Sequence, residues 1–139
     1  MGKAKIYHSA ISWGLVIFLL FPLLGVMIAD IYFQTWMASA IILLSLLFIF
    51  YLYQTTVYWL EEDTRVLRIK SGFLINQRIS IDEIYKIEAS NSMLSAPAWS
   101  LNRIAIYFGN KQSVLISPKH QEAFLEDLKR LNSEIKISV

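Results

Sequence analysis

Ser95–Asn110 reads SAPAWSLNRIAIYFGN, and the second half of that stretch decides the class of fold. Ile104 and Ile106 fall on one side of an alternating pattern, with Ala105 and Tyr107 on the other, the period of a half-buried strand. The first half prepares the strand's entry. Pro97 biases Ala96 towards extended backbone, Ala98 is small enough for close packing, and the Ser95 and Ser100 hydroxyls suit local backbone bonding in a turn. Arg103 is the single charge in the stretch. Two readings of it stay open: its stem packs while its head pairs with Asp82, Glu83 or Glu88, or it lines a surface for a partner.

Moving outward, the same pattern recurs on both sides. Gly109-Asn110-Lys111-Gln112 is a turn, and Ser113–Ile116 is another strand. Upstream, Thr55–Leu60 is β-branched and aromatic, Glu61–Thr64 is a polar turn, and Arg65–Lys70 alternates again. Ser71-Gly72 punctuates, Phe73–Ile81 alternates Ile75, Ile79 and Ile81 with polar residues, and Ile84 and Ile87 carry the apolar marks onward. After Ile116 the period changes. Ser117 is placed to cap a helix with Pro118 at its first position, Phe124, Leu128 and Leu131 recur at helical spacing, and Glu126 and Arg130 are spaced for an i,i+4 pair. Short antiparallel strands closed by one amphipathic helix make an α+β unit, because the helix and the sheet must bury their apolar faces against each other.

The N-terminal third is different. Ser9–Ala29 carries no charge, Asp30 stands alone, and the next charge is Glu61. The expected organisation is a membrane anchor over residues 1–53, with apolar helices at about 10–29 and 36–53, and a domain over residues 54–139. The Ile11–Ala29 run would reach about 28 Å as a helix at ~1.5 Å per residue, close to the hydrocarbon thickness of a bilayer. Tyr32, Phe33 and Trp36 at one end of the second run, and Tyr51 and Tyr53 at the other, match the aromatic belts of membrane interfaces. Of the 13 Lys and Arg residues, Lys3 and Lys5 precede the first run, none lies in Asp30–Thr35, and the other 11 follow the second. The positive-inside rule then puts both termini in the cytoplasm of a two-span, multi-pass protein of the cell membrane. A cleaved leader fits less well, because Met27-Ile28-Ala29 lacks the small residue expected before a cleavage point.

Composition narrows the function. There is no cysteine, hence no disulfide or thiolate metal site, and the net charge of +2 gives no call for nucleic acid. The two histidines, His8 and His120, have no carboxylate set spaced to complete a metal or triad site, and no nucleophile elbow, phosphate loop or zinc-helix motif occurs. The expectation is a non-enzymatic protein without a cofactor. The Glu61-Glu62-Asp63-Thr64 turn is opposite in sign to a phosphoinositide-binding loop, and Lys111, Lys119 and His120 make at most a small basic patch. The lipid bilayer is one partner, and a protein partner at the cytoplasmic face is the other expectation. A lipid- or small-ligand-binding regulatory role is the alternative.

Several pieces together resemble a family. Thr56-Val57-Tyr58, Leu67-Arg68-Ile69-Lys70-Ser71-Gly72, Ile79–Ile84, the Ser95–Ile104 stretch, Tyr107-Phe108-Gly109, and Ile116-Ser117-Pro118-Lys119 with Phe124 resemble a bacterial pleckstrin-homology-like (PH-like) family of small YyaB-type membrane proteins, to which the sublancin immunity protein of bacilli is similar. The resemblance covers residues from about 54 to 132. It implies a PH-like antiparallel β-barrel or sandwich capped by one C-terminal α-helix, following a two-helix transmembrane hairpin. It implies no enzymatic activity, with bacteriocin immunity attributed to one branch. Its signature positions, for partner binding or for structure, are Ser95, Pro97, Ala98, Ser100, Arg103, Ser117, Pro118 and Lys119.

Overall fold

The computed structural model of the chain describes residues 3–11, 13–90 and 102–139. A strand β1 (Ala4–His8) leads into two long helices, α1 (Trp13–Phe33) and α2 (Trp36–Gln54), followed by the strands β2 (Thr56–Glu61), β3 (Val66–Ser71), β4 (Ile75–Ser80), β5 (Ile84–Ser90), β6 (Arg103–Phe108) and β7 (Gln112–Ile116). Helix α3 (Gln121–Leu131) and a short β8 (Lys136–Ser138) complete the chain.

The strands form two four-stranded sheets, β1-β2-β3-β4 and β7-β6-β5-β8, with β8 parallel to β5 and the other neighbours antiparallel. Tyr58, Leu60, Leu67, Ile69 and Ile79 from the first sheet meet Ile87, Ile104, Ile106 and Ile116 from the second. Phe124 and Leu128 of α3 close that core, as two sheet faces and a helix stripe must when none can bury its own apolar side. This is the sandwich-like arrangement of antiparallel strands closed by a C-terminal helix that the resemblance implied. No glycine breaks the core strands; Gly72 and Gly109 instead sit in tight turns at positive φ, 54° and 53°, where a side chain is strained.

Helices α1 and α2 are long and apolar enough to cross a membrane. Their most apolar windows, Val16–Phe33 and Trp36–Gln54, have mean hydropathies of 2.4 and 2.1. Large side chains such as Phe18, Phe21, Leu44 and Leu47 are exposed along them. Helix α1 runs past the expected limit at residue 29, taking in Asp30 and leaving only Gln34 and Thr35 between the helices. The reason lies in the Asp30 carboxylate. It accepts bonds from the Thr35 hydroxyl at 2.9 Å and from the Ser39 backbone N–H at 2.5 Å, satisfying an orphan donor at the start of α2. Asp30 therefore closes the hairpin from within α1.

Three other details depart from the sequence reading. Ala4–His8, counted with the anchor, pairs with β2 from Ala4↔Glu61 to His8↔Val57, so the chain forms a sheet strand before it enters α1. Ser117 and Pro118 do not start the last helix, which begins at Gln121 with His120 as its N-cap and no side-chain cap bond. The backbone of Ser117 and Lys119 is taken by the N-terminal segment instead: the Ala10 N–H donates to the Ser117 carbonyl at 2.6 Å, and the Lys119 N–H donates to the His8 carbonyl at 2.9 Å. Arg130 turns to Glu62 and Asp127 rather than to Glu126, because the β2–β3 turn brings a carboxylate across to it.

Candidate functional site

Both connections between the apolar helices and the sheets leave from one end of the domain. His8, Ser9 and Ala10 lead out of β1, and Gln54 and Thr55 lead into β2. Ser117–His120, between β7 and α3, is held against the outgoing segment by the Ser9–Pro118 bridge. A cleft of about 390 Å³ opens there, lined by Ile6, Tyr7, His8, Ser9, Tyr53, Gln54, Thr56, Lys119 and His120. Its polar lining includes Lys119 and two histidines and no carboxylate. Such a cleft suits an acidic group.

The cleft stands on a buried polar base. The Ser9 and Ser117 hydroxyls lie 3.2 Å apart, and the Ser117 N–H approaches the Tyr58 hydroxyl at 3.4 Å. Thr56 bonds both the Leu52 carbonyl of α2 at 2.7 Å and the Ser71 hydroxyl of β3 at 2.8 Å. Burial pushes the Tyr58 hydroxyl up from its ordinary pKa, against the opposing pull of bonds to Ser9 and Ser117 and of the Arg103 charge. Arg103, 9% exposed, opens β6 opposite Ser90 and acts electrostatically on Tyr58. Buried polar groups of this kind are bonded to one another because leaving one unmet costs about 1–3 kcal/mol.

A second network fixes β1 to α3. The Asp127 carboxylate accepts from the Tyr7 hydroxyl and from Lys5 at 2.7 and 2.8 Å, and Arg130 lies 3.5 Å away. Burial, the bond to Asp127 and the charge of Asp127 push the Tyr7 hydroxyl up to about 12. Burial alone would raise the Asp127 carboxyl, but the bonds and charges of Lys5 and Tyr7 hold it below its usual range. The Tyr7 ring packs edge-on to Phe124 with centroids 5.1 Å apart, which joins this network to the core.

Of the eight signature positions, the structure brings Arg103, Ser117, Pro118 and Lys119 to this end of the domain. Ser95, Pro97, Ala98 and Ser100 lie outside the described residues. Asp82 and Glu83, offered above as partners of Arg103, sit at the other end of the β5–β6 pair, where Asp82 meets Arg65 at 2.5 Å. Ser9 and Gln54 were missed by the sequence reading, and His8 and Tyr58 were named there without a place in this site. The faint signal for His8 and Ser9 was the alternation of Lys5 and Tyr7 with Ile6. Among the described residues no three His, Asp or Glu side chains are grouped to hold a metal ion.

Residues 56–132 match the family model described as Bacterial PH domain, and that match spans β2 through the end of α3. No curated protein and no solved structure matches the chain. With more than half of its length inside the matched segment, the chain belongs to the bacterial PH domain family.

Proposed function

We propose that this is a membrane-anchored, non-enzymatic interaction module that presents a PH-like domain to a protein partner at the cytoplasmic membrane face. One observation carries the reading: the strands on either side of the helical hairpin are hydrogen-bonded to each other, from Ala4↔Glu61 to His8↔Val57. The domain is thus clamped to the hairpin by two chain connections rather than hung on one linker, so its surfaces hold a set orientation to the bilayer. The cleft with His8, Lys119 and His120 then meets an acidic group of a partner at the membrane surface, and the groove beside α3 along Leu125, Lys129 and Ile137 offers apolar contact. Self-protection against a bacteriocin that acts at the membrane is the specific form suggested by the likeness to the YyaB-type proteins.

A photo-crosslinking residue in place of His120, in intact membranes, tests this. A discrete protein adduct that disappears with Lys119→Glu supports the module. Recovery of lipid alone overturns the protein-partner reading. The same cleft also supports a second reading, binding of a small anionic ligand, for which competition by soluble phosphate compounds in that crosslinking assay is the check.

A further inference from the structure

Among the described turns of the domain, the β3–β4 turn is the one with two large apolar side chains exposed at its tip. Phe73 and Leu74 at its tip are 72% and 60% exposed. The turn lies beside α2. The Phe73 ring lies 6.3 Å from the ring of Phe48 in α2, and a Cβ on Gly72 would stand 2.8 Å from Leu52 Cδ2. Phe48 is six residues before Gln54, about 9 Å along the helix at ~1.5 Å per residue. If α2 crosses the bilayer as proposed, its 19 residues span ~28 Å and match the hydrocarbon core, which puts Phe73 inside the hydrocarbon edge.

The strands above this turn carry the complementary feature. Counting register from the turn, the outward side of the sheet shows Lys70 opposite Asn76, and then Arg68 opposite Arg78. Lys70 is one step from the Ser71↔Ile75 pair and the two arginines are three steps, so at ~3.3 Å per residue they stand about 3 and 10 Å above the tip's base. A headgroup layer is about 5–8 Å thick on each side of the core, within reach of all three side chains. None of the three makes an ion pair among the described residues. Like charges placed directly across a strand pair repel, and Arg68 Nε is buried with no hydrogen-bond partner. An anion held between the two guanidinium heads answers the repulsion. The acidic Glu61-Glu62-Asp63 turn is at the opposite end of these strands.

We infer that the β3–β4 turn is a third membrane-inserted element, an apolar wedge beside α2, and that Lys70, Arg68 and Arg78 above it bind the phosphates of anionic lipid headgroups. This rests on the membrane-anchored reading and adds a lipid surface to it. The wedge makes the hydrophobic contact and the cations select the leaflet's anionic lipids, at an attraction that salt screens. The surface is separate from the cleft at His8 and Lys119, and is formed by different strands.

The chain has no cysteine, so single cysteines at Leu74, Leu43 and Asp63 of the full-length protein can each carry a spin label. In vesicles of phosphatidylcholine with phosphatidylglycerol, the labels at Leu43 and Leu74 should be accessible to oxygen and shielded from a water-soluble nickel quencher, with the Asp63 label reversed. Spin-labelled phosphatidylglycerol should associate with the protein in preference to phosphatidylcholine. Lys70→Gln with Arg78→Gln, both at exposed positions, should lower that preference by roughly fivefold per cation at most, and high salt should do likewise. A buried Leu43 label with an aqueous Leu74 label overturns the wedge alone. A preference unchanged by the two substitutions overturns the headgroup site. An aqueous Leu43 label overturns the anchored reading itself, and this inference with it.

Discussion

The Tyr7 hydroxyl donates to the Asp127 carboxylate, joining the strand before the first apolar helix to the last helix of the chain. The same carboxylate receives Lys5 at 2.7 and 2.8 Å. Asp127→Ala should therefore remove the acceptor shared by the partly buried Tyr7 hydroxyl and the half-exposed Lys5 ammonium, at a cost of about 1 kcal/mol. A lower thermal midpoint for the full-length protein in nanodiscs is the expected result. Asp127→Asn, which keeps an acceptor oxygen, should lose less.

That network also sets a pH dependence. The Tyr7 hydroxyl is raised from 10.0 to about 12, so the fold favours its protonated form; its contribution is complete below pH 10 and is lost as pH rises from 10 to about 12. The Asp127 carboxyl is lowered from 3.8, so its contribution is present above that value and fades on acidification below it. Stability measured against pH should show an alkaline decline that Tyr7→Phe reduces. An identical decline in both proteins would assign it to other groups.

Phe124 is fully buried where α3 meets both sheets. Phe124→Ala should cost about 3–5 kcal/mol through lost transfer energy and the cavity left behind. Phe124→Asp adds an unpaired buried charge and should prevent the domain from holding its fold. Circular dichroism melts of the full chain check both, and an unchanged midpoint would show that α3 does not seal the core.

Gly72 combines a φ of 54° with close approach to α2, since an added Cβ would meet Leu52 Cδ2 at 2.8 Å. Gly72→Ala should destabilise the turn by more than about 1 kcal/mol. It should also displace Phe73 from Phe48, so the effect is read both in the melting midpoint and as increased protease nicking between β3 and β4.

Orientation is the fifth matter to test. Eleven of 13 Lys and Arg residues follow α2, and acidic residues count little for topology. Protease added to inside-out vesicles should cut the domain, and the domain should be protected in intact spheroplasts. Labelling from outside should reach the Gln34–Thr35 connection. Digestion in spheroplasts would reverse the topology and remove every cytoplasmic role proposed above.

The sequence by itself determined the elements whose cause is local or periodic. The apolar runs that become α1 and α2, the alternation that becomes β2 to β7, and the Phe124-Leu128 stripe of α3 each follow from burying one face, and such patterns survive without knowledge of neighbours. Tertiary structure decided everything that depends on a distant partner. Ser117-Pro118 looks like a helix start, yet Ala10 and His8 claim its backbone from more than 100 residues away in the chain, and the helix begins at Gln121. Ala4–His8 is too short to announce itself as a strand until Thr56–Glu61 offers it a ladder. Arg130 has a local acid at helical spacing and turns to Glu62 instead, because side-chain pairing follows distance in space. The cleft and the turn beside α2 are assembled in the same way from segments that meet only when the sheets close over the core. A single chain of letters records which residues are apolar, but not which of them will share an end of the molecule.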